Sequence, residues 1–291
     1  MGTSGSYGGP SPGSSLVPTW VDPILSPPVG PGLLPPDIAD PAAIPPAVPV
    51  PPPVRPVPQP APLDNFTAPR TNFTRYARSG GNDRTSLGRA ISGYVSGGVG
   101  GSRRAVQRMG SSRGTTARLA NFLTSVSNQG AREALRSLNL EALAGRPIEE
   151  IFLGLADYIC PESGTVDEGI ARDAFIETVA ELASLGMTDL DGLTPAQMQT
   201  VFELYAAHAI EARICNDIGS KSIALPADVG AVERIQAQLK DFIRRSVSDA
   251  VTQARTDLTT LAPERVNGFV DTIYQAAFDI LQTMAEGLAQ T

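Results

Sequence analysis

Residues 194–219 read TPAQMQTVFELYAAHAIEARICNDIG, and this stretch decides the fold class of the chain. Thr194 followed three residues later by Gln197 is a helix-start signal, because each side chain can bond to the other residue's free backbone N–H. Pro195 suits the first helical turn, where its missing N–H is not needed. We predict a long helix that runs from there to about Ile218 and ends at Gly219.

Helix signals recur on both sides of this stretch. Thr165 and Glu168 form a capping box, which predicts a helix to about Leu185. Pro147 and Pro263 open two further helices, over 147–159 and 263–289, at first-turn positions. The other predicted helices cover 83–94, 103–109 with Ser102 as its cap, 113–128, 131–138 and 228–260, and the only candidate strand is the short segment Ser222–Leu225. We therefore predict an all-α fold with a multi-helix body at residues 113–291.

The N-terminal part of the chain has a different composition. Residues 1–62 hold 20 of the 26 prolines, and proline fixes φ and donates no amide hydrogen bond. We predict a disordered Gly/Ser- and Pro-rich tail over these residues. Once the initiator methionine is removed, Gly2 presents a free amine that Thr3 and Ser4 leave unhindered, so these three residues are candidates for modification or docking, unless they merely begin a disordered segment. Trp20, the only tryptophan, either anchors a docking peptide or packs back onto the protein.

Charge divides the chain into three parts. Residues 1–65 carry a net charge of −3, residues 66–120 a net charge of +9, and residues 121–291 a net charge of −13. We predict that residues 63–112 form an Arg/Gly-rich interaction region, an Arg-rich linker between the tail and the body. Its candidate binding residues, for a partner protein or nucleic acid, are Arg75, Tyr76, Arg78, Arg84, Arg89, Arg103, Arg104 and Arg108.

The arginine-rich region allows three interpretations. Arginines interleaved with Phe66, Phe73 and Tyr76 are typical of a surface that binds nucleic acid, and equally of a protein interface. The arginines could instead pair with the acidic body of the same chain. Because the region contains no lysine, directional bidentate pairing is favoured over a diffuse electrostatic surface.

Few residues of the chain are suited to catalysis. The one histidine, His208, lies in a predicted helix where we expect it to face the core or a partner, and Cys160 and Cys215 are expected to be buried, reduced thiols. One histidine and two distant cysteines do not supply a four-ligand zinc site. We predict that the glycine repeats at 97–101 form a loop after the helix over 83–94, and they lack the strand-loop-helix setting of a phosphate loop. We therefore expect no enzyme activity, no catalytic residue, no metal site and no cofactor. Without a signal peptide or a bilayer-length apolar run, we expect a cytoplasmic protein that makes no membrane contact.

Several short motifs carry a family resemblance. They are MGTS at 1–4, GGP at 8–10, LVPTW at 16–20, FTRYARSGG at 73–81, LGRA at 87–90, GGSR at 100–103, RMG at 108–110 and PIEEIF at 147–152. In these motifs, and in its helical body, the chain resembles the QatB component of the bacterial Qat anti-phage system.

The resemblance implies a subunit of an anti-phage defence complex with partners from the same system: a QueC-like enzyme, an ATPase and a TatD-like nuclease. It also implies that the QueC-like enzyme binds or modifies the N-terminus at Gly2. Two other functions are consistent with the residues: a nucleic-acid-binding sensor that uses the arginines, and a structural or virion protein. A steep loss of affinity with salt would identify the sensor, because phosphate contacts release counterions.

Overall fold

The computed structural model describes residues 65–160, 164–219 and 228–290. The chain divides into two units, Met1–Pro58 and Gln59–Thr291, and the first of them lies outside the described residues, as does the whole predicted tail. In the described part of the second unit, all regular secondary structure is helical, which confirms the all-α prediction.

Ten α-helices follow one another along the described residues. They are α1 (Thr67–Arg78), α2 (Arg84–Gly93), α3 (Ser102–Arg108), α4 (Ser111–Gln129), α5 (Ala131–Arg136), α6 (Ile148–Ile159), α7 (Val166–Ser184), α8 (Pro195–Ile214), α9 (Val229–Ala254) and α10 (Pro263–Ala289). Two π-helical turns, Tyr94–Val99 and Cys215–Gly219, continue α2 and α8, and 3₁₀ turns lie at Glu141–Leu143 and Leu258–Thr260.

The two predicted helix-start signals form reciprocal caps. At α7, the Thr165 hydroxyl accepts a hydrogen bond from the N–H of Glu168 at 3.3 Å, and the Glu168 carboxylate accepts one from the N–H of Thr165 at 3.1 Å. At α8, Thr194 and Gln197 make the same pair of bonds, at 3.3 and 2.9 Å. These starts were predicted correctly because every group involved lies within four residues of sequence.

Three local expectations were wrong, and a fourth is untested. Ser102 is the first residue of α3 and makes no capping bond, since Gly101, at φ +105°, precedes the helix. The helix predicted to reach 260 ends at Ala254, because Arg255 takes a left-handed conformation at φ +49°. The glycine-rich segment after α2 forms a π-helical turn rather than an open loop. The candidate strand Ser222–Leu225 lies outside the described residues.

Helix α10 organises the core. It packs against α2, α9, α3 and α4, its Phe269 meets Phe202 of α8, and it lies very close to α2 at Gly88. A Cβ atom at Gly88 would lie only 2.5 Å from the carbonyl oxygen of Ala285, so this crossing requires glycine. Helices α1 to α3, which carry most of the arginines, are thereby packed on the same core as the C-terminal helices.

A row of aromatic rings joins the middle helices. Phe122 of α4 meets Phe152 of α6 edge-on, Phe152 stacks on Phe175 of α7 at 5.9 Å, and Phe175 meets Tyr205 of α8 at 6.2 Å. Among the described residues, no helix combines the length and the apolar character that crossing a bilayer requires.

Candidate interaction surface

The arginines of α1 to α4 divide into two groups by orientation. Four of them bond to acceptors of the C-terminal helices or of α6, namely Arg70, Arg108, Arg113 and Arg118. The other six are exposed, and none of them forms an ion pair with any described residue: Arg75, Arg78, Arg84, Arg89, Arg103 and Arg104. Internal pairing therefore accounts for the first group and leaves the second group facing solvent.

Asp217 is the acid on which the inward-facing arginines converge. Its carboxylate, 4% exposed, accepts two bonds from Arg108, at 2.8 and 3.1 Å, and one from the Tyr94 hydroxyl at 2.9 Å. Its backbone carbonyl accepts two bonds from the Arg70 guanidinium, at 3.2 and 2.8 Å. Since Asp217 lies in the π-helical turn after α8, and Tyr94 begins the one after α2, this acid ties α1, α2 and α3 to the end of α8.

Ring stacking and charge reinforce this cluster. The Phe66 ring stacks on Tyr94 with 5.5 Å between centroids, and the Arg108 and Arg70 guanidiniums lie 5.0 and 5.6 Å from the Phe66 centroid. Burial, and then the charge of Asp217, raises the pKa of Tyr94 well above its usual range, while the hydrogen bond to Asp217 raises the pKa of Arg108. Tyr94 therefore stays protonated and Arg108 stays charged near neutral pH, as in a structural anchor.

The exposed arginines of α1 line a shallow groove of about 490 Å³. Its lining residues recur every three or four positions and so share one face of the helix: Thr67, Arg70, Thr71, Thr74, Arg75 and Arg78. We call this set the α1 stripe. Hydroxyl and guanidinium donors without an acid among them suit oxyanions, whether carboxylate or phosphate. The threonines were not predicted from the sequence, although their spacing between residues 67 and 78 was a usable signal.

The remaining exposed arginines lie on α2 and α3. Arg84 lines a second groove, of about 420 Å³, whose floor includes Leu87 and Phe242. Arg89 is exposed on α2, and Arg103 and Arg104 are exposed at the start of α3. Arg108, which was predicted to bind a partner, has a side chain 43% exposed, but its guanidinium is already bonded to Asp217.

The aromatic residues of the arginine-rich region belong to the core, which corrects the role predicted for Tyr76. Tyr76 is fully buried, and its hydroxyl lies 3.1 Å from the side-chain oxygen of Gln238 on α9. Burial raises the pKa of Tyr76 to about 12. Phe66 and Phe73 are also buried. Alternation of these rings with arginines reflects the two faces of α1, so the rings are not available for stacking on bases.

The candidate residues of the tail, Gly2, Thr3, Ser4 and Trp20, all lie outside the described residues. Of the predicted site, the structure therefore describes the arginine-rich part and not the tail.

The single histidine lies in a buried charge cluster between α7, α8 and α9. The Nε2 atom of His208 is 3.0 Å from a carboxylate oxygen of Glu181, which also accepts from Lys240 at 3.1 Å and from Arg244. Burial, and then the charge of Lys240, lowers the pKa of His208. Burial alone would raise the pKa of Glu181, but the bonds from Arg244 and Lys240 outweigh it and lower the value to about 2. His208 is thus a core residue with a fixed partner.

The two cysteines are free thiols with little reactivity. Burial raises the pKa of Cys160 to about 11 and that of Cys215 to about 12, so neither forms a thiolate readily near neutral pH. No group of three or more potential metal ligands comes together in the described part of the chain.

Fold and surface together define an all-α protein that exposes a set of arginines on helices α1 to α3, and the buried Asp217 holds these helices in place. Residues 100–281 match the model of the family described as Qat anti-phage system associated protein QatB, and the chain belongs to that family. It is therefore a component of an anti-phage defence system with partner proteins in the same system. None of the curated proteins and none of the solved structures compared with the chain matches it. The matched segment includes α3 to α9 and most of α10, and it begins after Gly2, Trp20 and the arginines of α1 and α2.

Proposed function

We propose that this chain is a non-enzymatic subunit of the Qat defence complex. Its exposed arginines bind a partner protein, and its N-terminal tail presents Gly2 to the QueC-like enzyme for binding or modification. The complex also contains the ATPase and the TatD-like nuclease of the same system. Membership of the QatB family is the basis for placing the protein in such a complex.

The observation that carries the proposal is the set of exposed arginines without an ion-pair partner among the described residues. Arg75 and Arg78 lie on the α1 stripe. Arg84, the next arginine in the sequence, lines the second groove from α2. Helices α1 and α3 are tied to Asp217, so the arginines are held on a rigid support rather than on a flexible linker. A guanidinium on a rigid support loses little entropy when it pairs with a partner's carboxylate, which favours binding.

The environment of the potential catalytic groups supports a binding role. His208 has a lowered pKa and a buried acidic partner, and both thiols have raised pKa values. A general base or nucleophile needs access to substrate and a pKa matched to its task. These three residues are engaged in the core instead.

The proposed modification is tested by the intact mass of the chain, produced with and without the QueC-like enzyme. We expect a mass increase on the chain lacking Met1 only when the enzyme is present, and none in a Gly2→Val variant, because valine hinders methionine removal and crowds the amine. Thr3→Val is the matched control, since it adds the same side chain one residue further on. Trp20→Ala should slow the modification without preventing it. An unchanged mass in both productions would contradict the role of Gly2.

The proposed role of the arginines is tested by assembly with the same partners. Replacing Arg75, Arg78 and Arg84 with alanine should weaken assembly at least tenfold while the melting temperature stays nearly constant, because these side chains are exposed. Three exposed arginines away from α1 to α3 serve as the matched control when replaced together: Arg132, Arg255 and Arg265. Equal effects of the two triple variants would show that only net charge matters.

The alternative function, nucleic-acid binding, draws its support from the same α1 stripe. Thr67 and Thr74 add hydroxyl donors of the kind that contact phosphates, whereas the Thr71 hydroxyl donates to the backbone carbonyl of Thr67 at 2.9 Å. If this function is correct, the triple arginine variant loses affinity for nucleic acid but still assembles with its partners, and wild-type affinity falls steeply with salt. The burial of Phe66, Phe73 and Tyr76 favours the partner-protein function, because single-strand binding relies on exposed rings.

A further inference from the structure

Exposed large apolar side chains are concentrated on one part of the described structure. Six such residues are found among the described residues, and five of them lie on or next to α6 and α7: Leu153, Tyr158, Val166, Ile176 and Leu185. The sixth, Val229, lies at the start of α9. Single exposed apolar residues are common on protein surfaces, but a cluster of them marks an interaction site.

Two contacts fix the register between α6 and α7. Phe152 stacks on Phe175, and Arg172 donates to Asp157 at 2.9 Å. Asp157 comes five positions after Phe152 on α6, whereas Arg172 comes three positions before Phe175 on α7. The two helices therefore run antiparallel. This register places Leu153 opposite Ile176. These two side chains are 54% and 40% exposed, so both present apolar surface on the outer side of the helical pair.

The apolar surface continues along α7 over small side chains. Ala180 and Ala183, one and two turns beyond Ile176, are both exposed. Small residues next to two large ones let a partner helix approach closely. We call Leu153, Ile176 and Ala180 the α6–α7 patch.

Acidic residues surround this patch. Glu149, Asp173 and Glu177 are exposed on the same two helices, and Glu150 and Asp157 lie beside them. The arginines nearest to the patch in sequence, Arg146 and Arg172, are each paired with an acid, at 3.4 and 2.9 Å. The rim therefore carries uncompensated negative charge.

We propose that the α6–α7 patch is the docking site for a basic amphipathic helix of another protein of the Qat system. Two large exposed apolar side chains with the small Ala180 beside them offer an apolar surface for the anchor residues of such a helix. The acidic rim requires lysine or arginine flanking those anchors, by charge complementarity. A second copy of this chain fits less well, because the α1 stripe offers threonines between its arginines and no large apolar anchor.

This site is separate from the function proposed above. It lies on α6 and α7 rather than on α1 to α3, it carries the opposite charge, and it does not depend on Gly2. Membership of the QatB family is used here only to infer that the docked helix belongs to another protein of the Qat system.

The test measures the affinity of the full-length chain for each purified Qat protein: the QueC-like enzyme, the ATPase and the nuclease. Replacing Leu153 and Ile176 together with glutamate should weaken binding of at least one of them tenfold or more, because the anchors are lost and more negative charge is added. Val229→Glu is the control, since it changes a still more exposed apolar residue, 71% exposed, away from the patch. Circular dichroism and thermal melting establish that the variants fold, and the milder Leu153→Ala, Ile176→Ala pair replaces any variant that does not.

A charge reversal provides a second, independent measurement. Changing Glu149 and Glu177 to lysine should weaken binding of the same protein and reduce its dependence on salt. The proposal is overturned if affinity for all three proteins is unchanged in the double glutamate variant, or equally changed in Val229→Glu. It is also overturned if the double variant changes only the self-association of this chain, which would assign the patch to a second copy.

Discussion

At the scale of single residues, Asp217 accepts hydrogen bonds from three residues of the arginine-rich region. Arg108 bonds to both of its carboxylate oxygens, Tyr94 to one of them, and Arg70 to its carbonyl. A buried carboxylate is stable only while such donors are present, because its desolvation must be offset. The same contacts hold α1, α2 and α3 in place, so the arrangement of the exposed arginines depends on this one side chain.

Asp217→Asn should destabilise the fold by about 2 kcal/mol, since the bidentate charged pair is lost and Arg108 is left half-buried without its partner. The measurement is the midpoint of denaturant unfolding, with an unchanged m-value. Asp241→Asn is the matched control, because it removes an exposed pair with Arg245 one helical turn away. Its effect should stay below about 0.5 kcal/mol. Equal effects of the two variants would mean that the Asp217 cluster contributes no more than a surface pair.

His208 predicts a pH dependence of stability. The pKa of His208 is lowered in the folded protein, so the unfolded chain binds the proton more readily. The contribution of the neutral imidazole to folding stability is therefore complete above about pH 6.5, and it is lost as the pH falls through the pKa of the folded state. Stability should therefore decrease between pH 7.5 and 5, and His208→Gln should reduce this decrease. Glu211, whose pKa is raised by burial, titrates in the opposite sense, so the comparison is the difference between wild type and variant at each pH. A variant as pH-sensitive as the wild type would contradict this role.

At the scale of helices, the local signals were sufficient where one helix begins or ends. The caps at Thr165 and Thr194 and the start at Pro263 needed only neighbouring residues. Packing between helices was not predictable in this way. Tyr94 and Asp217 are 123 positions apart, and Tyr76 and Gln238 are 162 apart, so no local pattern announces that these residues meet. For the same reason, local sequence patterns identify the arginines but do not show which of them pair with distant acceptors of the same chain.

The crossing of α2 and α10 gives a test at this scale. Gly88→Ala should destabilise the protein by about 2 kcal/mol, because the new methyl group would meet the backbone of Ala285 and Ala289, which cannot move independently of α10. Gly268→Ala, inside α10 with open space around it, should be neutral or stabilising by up to about 1 kcal/mol, since alanine favours helix more than glycine does. Thermal unfolding of the two variants measures the difference, and a tolerated Gly88→Ala would show that the two helices separate easily.

At the scale of the whole molecule, the two proposed surfaces carry opposite charges. The exposed arginines lie on α1 to α3, and the acidic rim lies on α6 and α7, both built on one core within the second unit. Charge of one sign on each surface directs each partner to its own site and disfavours the wrong one. The net charge of −7 therefore describes neither surface.

The predicted boundary between residues 112 and 113 can be tested on the same scale. A chain starting at residue 59 retains the core from Phe66 to Ala285 and should keep the melting temperature of the full-length protein. A chain starting at residue 113 lacks α1 to α3, which exposes the face of α10 that packs on α2 and α3 and removes the donors of Asp217. We expect it to aggregate or to melt at least 10 °C lower, because a loss of several kcal/mol shifts the melting temperature by about 2–4 °C per kcal/mol in a domain of this size. Differential scanning calorimetry of the two chains makes the comparison, and equal melting temperatures would establish residues 113–291 as an independent helical domain with the arginine-rich helices as an appendage.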